Sequence, residues 1–165
     1  VTRTLLLMRH AKSDYPGGVT DHDRPLAERG DREAPLAGEW IRAHTPEVDA
    51  VLCSTATRTR QTLARTGIEA PVEYLDELYD AVPGTVIAAI NAVSPGVGTL
   101  LVVGHEPTTS GLALGLADGD PDAEQLAAEI SAKFPTSAIA MLGVEGEWAD
   151  LEPGGARLLA FHVPR

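Results

Sequence analysis

Two tetrapeptides, Leu5-Leu6-Leu7-Met8 and Leu100-Leu101-Val102-Val103, are apolar at every position. A strand with one wet face would alternate apolar and polar residues. These do not, so both of their faces must be covered. Strands are expected at 4–8, 50–53, 72–75, 99–103, 137–142 and 157–161, and helices at 26–44, 57–66, 85–93, 107–116 and 122–130. Gly67 reads as the cap of the second helix, and Pro35 is expected to end, kink or delay the first. Strands alternating with helices lead to an α/β fold, a three-layer α/β/α sandwich with a mostly parallel central sheet. At 165 residues, residues 1–165 are expected to form one domain.

Charge narrows the partners. There are 13 Lys and Arg against 24 Asp and Glu, a formal net charge of −11. Neither a nucleic-acid binder nor a protein that docks on anionic membranes is expected, since both draw affinity from a basic face. The apolar run at 5–8 is too short for a signal-peptide core or a membrane helix. Cys53 is the one cysteine, which precludes an internal disulfide and fits a reducing cytoplasm. The five histidines show no H-x-x-x-H or H-E-x-x-H spacing, so neither a metal nor another cofactor is expected.

Ligands of parallel sheets bind beyond the carboxyl ends of the strands. The first strand runs into Arg9-His10. The run ending at Val103 leads into Gly104-His105-Glu106-Pro107. Val51-Leu52-Cys53 leads into Ser54 and a helix carrying Arg58. If these strands are neighbours, two histidines and several arginines converge. A neutral imidazole can attack phosphorus, and guanidinium groups present forked donors to phosphoryl oxygens. Such a set suits phosphoryl transfer, which depends largely on positioning and charge neutralisation.

The same residues form ordered motifs. Leu7-Met8-Arg9-His10-Ala11 is similar to the R-H-G/A signature of the histidine phosphatase superfamily, the phosphoglycerate mutase-like fold. Arg24-Pro25-Leu26 with Gly30, then Ser54-Thr55-Ala56-Thr57-Arg58 with Gln61-Thr62, then Val103-Gly104-His105-Glu106-Pro107 follow in the family's order. With Phe134-Pro135-Thr136-Ser137 entering a late strand, the chain resembles the small SixA-type phosphohistidine phosphatases. It departs from the commonest pattern at Thr55, where many relatives carry proline, and at Ala11 in place of glycine.

The resemblance implies a hydrolase working without metal through a phosphohistidine intermediate. His10 would be the nucleophile, Arg9, Arg24 and Arg58 would hold the phosphoryl oxygens, and His105 would complete the pocket. Larger relatives supply a general acid from the middle of the chain; here the segment at 75–80 offers Glu77, which matches the L-x-E pattern best, then Asp80, or else it is a solvated acidic turn that supplies none. The implied partner is a phosphorylated substrate, a phosphohistidine-bearing protein foremost; the short chain, with no obvious apolar stripe, is itself expected to be a monomer. Two alternatives stay open: a small-molecule phosphomonoesterase or mutase-like enzyme of the same fold, and a catalytically weak phospho-binding module. Lys12 and Ser13 could border the pocket, Cys53 reads as core filling, and Arg60 is expected on the surface.

Overall fold

The computed structural model describes residues 2–165. Its strands are β1 (Thr2–Arg9), β2 (Ala50–Ser54), β3 (Val72–Leu75), β4 (Thr99–Gly104), β5 (Ile139–Glu145) and β6 (Arg157–His162). Its helices are α1 (Glu28–His44), α2 (Thr57–Thr66), α3 (Pro83–Asn91), α4 (Thr108–Leu116) and α5 (Glu124–Ala132). The six strands form one sheet in the order β3-β2-β4-β1-β5-β6. The pairings β2·β3, β2·β4 and β1·β4 are parallel, and β5 runs antiparallel to both its neighbours.

The unbroken apolar runs are explained by what lies on each face. Leu6, Met8, Val51, Cys53, Leu101 and Val103 point to the α1/α2 side, where they meet Ala37, Ile41 and Leu63. Leu5, Leu7, Leu52, Leu100 and Val102 point to the opposite side, against Val86, Ile90, Leu112, Leu116 and Ile130. Successive residues of one strand thus feed two cores, so no position can be polar. Among the described residues, no helix is long and apolar enough to cross a membrane.

Two local expectations are corrected. Leu26 is not in the first helix, which begins at Glu28; it forms an isolated bridge with Ser13 and packs with Ala11 and Ala34. Pro35 does not end α1, which continues to His44. The helix loses one internal hydrogen bond there. It is held instead by packing: Ala34, Ala37 and Ile41 are all buried. Gly67 does cap α2, with a left-handed φ of 72°.

Two glycines of α1 are required by close approach. A Cβ on Gly30 would sit 2.2 Å from the Lys12 carbonyl oxygen, and one on Gly38 would sit 2.1 Å from that of Thr66. Gly38→Ala is expected to destabilise the fold by about 1–3 kcal/mol through overpacking. Gly84→Ala, where nothing lies within 4 Å, should be neutral or stabilising by up to about 1 kcal/mol. Urea unfolding midpoints of the two variants check the contrast.

Candidate active site

The site follows from register. Arg9 pairs with Gly104 across β1 and β4, and Cys53 pairs with Val103 across β2 and β4. The next residues, His10, His105 and Ser54, therefore emerge side by side at the carboxyl edge. The His10 amide donates to the Gly104 carbonyl at 3.0 Å, and the two imidazole centroids are 5.4 Å apart. Arg58 reaches the same place from the first turn of α2. Arg9, His10, Lys12, Ser13, Tyr15, Arg24, Arg58, Asp80, His105, Glu106 and Thr136 line one cavity of about 210 Å³.

His10 lies on its floor, 7% exposed. Its Nδ1 donates to the Ala11 carbonyl at 2.7 Å. A carbonyl can only accept, so the proton resides on Nδ1 and Nε2 keeps its lone pair. Burial lowers the His10 pKa to about 3; His105, Arg58 and Arg9 push the same way, and the Ala11 hydrogen bond pulls back. His105 falls to about 4, again chiefly by burial, with Arg58 adding to it. Its Nε2 lies 2.9 Å from Ser54 Oγ. Both rings are therefore neutral near pH 7.

The arginines are held from behind. Arg9 donates to the Phe134 carbonyl at 2.9 Å. Arg24 donates to Asp21 at 3.0 Å, Ser13 at 2.9 Å and the Asp14 carbonyl at 3.2 Å. Arg58 forks onto the Asp21 carbonyl at 2.7 Å and its carboxylate at 3.2 Å. Asp21 also accepts from the Tyr79 hydroxyl. That bond first, then Arg24 and Arg58, holds the Asp21 carboxyl well below the usual carboxylate range. The Gln61-Thr62 motif works on the backbone: Thr62 Oγ1 accepts from the Ala11 amide and Gln61 Oε1 from that of Leu26, each at 2.8 Å. These bonds pin both ends of the loop that carries Lys12, Ser13 and Tyr15. Thr55 donates to Asp76 at 2.6 Å and lies 3.1 Å from His22 Nε2, so the departure from proline is absorbed into the rim.

Arg9, His10, Arg24, Arg58 and His105 are thus brought together, with Lys12 and Ser13 beside them. Glu77 is not. The 3-10 turn Asp76–Leu78 buries Leu78 and turns Glu77 to solvent, whereas Asp80, with a left-handed φ of 56°, reaches the cavity wall. Sequence reasoning missed Asp21, Tyr15, Tyr79, Glu106 and Thr136. Asp21 had one signal, its i,i+3 spacing to Arg24 inside a polar loop. Cys53 is buried, and burial pushes its thiol up to about 12, so it is inert filling. Arg60 is exposed, 4.7 Å from the Tyr74 ring centroid.

The buried histidines set a pH dependence of stability. Unfolding returns their pKa values from about 3 and 4 to the ordinary 6.5. Below pH 6.5 the unfolded chain therefore takes up protons that the folded chain refuses. Stability is fully present above 6.5 and is lost as pH falls towards 4, by up to about 1.4 kcal/mol per pH unit per histidine. Calorimetry at pH 7, 5.5 and 4.5 should show that slope, and it should shrink in His10→Ala. A pH-independent Tm over this range would contradict it.

Comparison with known proteins bears on the family and the fold. Residues 5–86 match the family model of the histidine phosphatase superfamily, branch 1. An uncharacterized protein of Mycobacterium tuberculosis is 66% identical over 158 residues, covering 96% of this chain and 100% of that protein. Phosphohistidine phosphatase SixA of Escherichia coli is 30% identical over 147 residues, 86% of this chain and 85% of that protein. A structure assigned to phosphohistidine phosphatase SixA from Nakamurella multipartitia superposes with a TM-score of 0.91 at 44% identity, over 99% of this chain and 97% of that one.

Proposed function

This chain belongs to the histidine phosphatase superfamily and is a phosphatase, and from that premise we propose that it hydrolyses phosphohistidine on a protein through a phosphoenzyme formed on His10. The observation that carries the proposal is the state of His10: neutral, with its proton tied to Ala11 and its Nε2 lone pair free at the floor of a cavity walled by Arg9, Arg24, Arg58 and His105. A buried neutral imidazole is a competent nucleophile. Three guanidinium groups spread positive charge around the phosphoryl oxygens, so charge neutralisation is built from side chains and the scheme needs no metal.

In this scheme Nε2 forms a bond to phosphorus as the bond to the leaving group breaks in line. Water then attacks the phosphohistidine, releasing phosphate and regenerating His10. An alcohol leaving group needs a proton, and Asp80 is the carboxyl of the 75–80 segment on the cavity wall. Imidazole leaves more readily than an alkoxide, which favours phosphohistidine over simple esters. The names of the SixA relatives support the same substrate class.

The deciding experiment is a substrate panel of phosphohistidine protein, phosphoglycerates, sugar phosphates and p-nitrophenyl phosphate. The highest kcat/KM is expected on the phosphohistidine protein. A preference for one phosphorylated metabolite would favour the small-molecule reading, and no phosphate release from any member would overturn the proposal.

A further inference from the structure

In-line transfer requires the leaving group to depart opposite His10 Nε2. His10 is 7% exposed at the cavity floor and Tyr15 is 74% exposed at its mouth. A leaving group that departs towards solvent therefore passes the exposed part of the wall, to which Tyr15 belongs. Lys12 and Asp80 are the other exposed residues of that wall, and Tyr15 is its one phenol ring.

An exposed tyrosine is ordinarily free to swing. This one lies against a fixed cation: the Arg24 Cζ is 4.0 Å from its ring centroid. That guanidinium is itself clamped by Asp21, Ser13 and the Asp14 carbonyl. One face of the ring is covered by Arg24, and its exposure leaves the other face open. The result is a flat, oriented π-surface fixed to a residue of the phosphate cavity.

We infer that the open face of Tyr15 is a subsite for a planar aromatic leaving group, whether the imidazole of a phosphohistidine or an aryl ring esterified to phosphate. The inference rests on the phosphoryl-transfer reading above and adds a specificity determinant to it. A flat ring stacks on the phenol face at a defined distance, whereas a puckered alkyl group of equal size gains contact without stacking. Tyr15 would thereby select substrates by the shape of what leaves.

The test separates this inference from the reading beneath it. Phenylphosphonate and cyclohexylphosphonate carry the same anion on rings of similar size, one flat and one puckered, and neither is hydrolysed. Calorimetric titration of the wild-type protein is expected to show phenylphosphonate binding about 3- to 10-fold more tightly. That preference should vanish in Tyr15→Ala and persist in Tyr15→Phe, which keeps the ring. In turnover, Tyr15→Ala should lower kcat/KM for phosphohistidine and for an aryl phosphate by about 3- to 10-fold more than for an alkyl phosphate of matched leaving-group acidity. The size of the loss on phosphohistidine and on the aryl ester tells which source the subsite suits better. Equal losses on flat and puckered ligands, or an unchanged preference in Tyr15→Ala, would overturn the role of Tyr15 while leaving the phosphatase reading intact. Failure of inorganic phosphate itself to bind would overturn both.

Discussion

His10→Ala is expected to abolish phosphatase activity, with kcat falling by at least about 10⁴-fold for every substrate. The loss follows from position. His105, the other imidazole on the cavity wall, is poorly placed to replace His10, because its Nε2 is engaged with Ser54 at 2.9 Å and its Nδ1 is buried. The variant should also fail to form a covalent phosphoenzyme. Rapid quench with radiolabelled substrate gives the readout: an acid-labile, base-stable phosphoprotein in the wild type and none in His10→Ala. At neutral pH the acid penalty of His10 is absent, so the variant loses only the Nδ1 bond to Ala11 and local packing, and a circular dichroism spectrum matching the wild type establishes that it is folded. Full turnover by His10→Ala would remove the proposed mechanism altogether.

Arg58→Ala should be the next most damaging change, lowering kcat/KM by about 10²–10³-fold. Arg58 is 6% exposed, and its guanidinium forks onto Asp21 through two nitrogens. Truncation removes one cation from the cavity and leaves Arg24 as the remaining arginine partner of the Asp21 carboxylate. Arg58→Lys restores the charge without the fork, because one ammonium cannot span the same two acceptors. It is expected to keep less than about a tenth of the wild-type kcat/KM. Vanadate inhibition measured on the three proteins separates binding from chemistry. Unchanged vanadate affinity in Arg58→Ala would show that Arg58 only anchors Asp21.

Much of this site was legible in the chain. Arg9, His10 and His105 stand at the ends of apolar runs read as buried strands of an α/β sheet, and the edge beyond such strands is where ligands bind. Arg58 was legible because it lies in the first turn of a helix that starts just beyond a strand end. Tyr15, Asp21 and Tyr79 were not. They belong to segments with no periodicity, whose paths are set by distant groups: Thr62 on Ala11, Gln61 on Leu26, and Tyr79 on Asp21. The carboxyl of the middle segment shows the limit well. The L-x-E pattern favours Glu77, yet burying Leu78 turns Glu77 outward and the left-handed backbone at Asp80 carries the next acid inward.

By itself the sequence determined that the chain must build a sheet covered on both faces, because Leu5 to Met8 and Leu100 to Val103 offer no polar side to water. It also determined which reactive groups stand at the ends of those strands. Only the tertiary structure decided that β4 inserts between β1 and β2, which sets His10 against His105 and brings Arg58 to both. The physical reason is range. Burial and periodicity are local properties written into neighbouring residues, whereas strand order, loop path and the facing of a side chain depend on contacts between residues far apart in the chain.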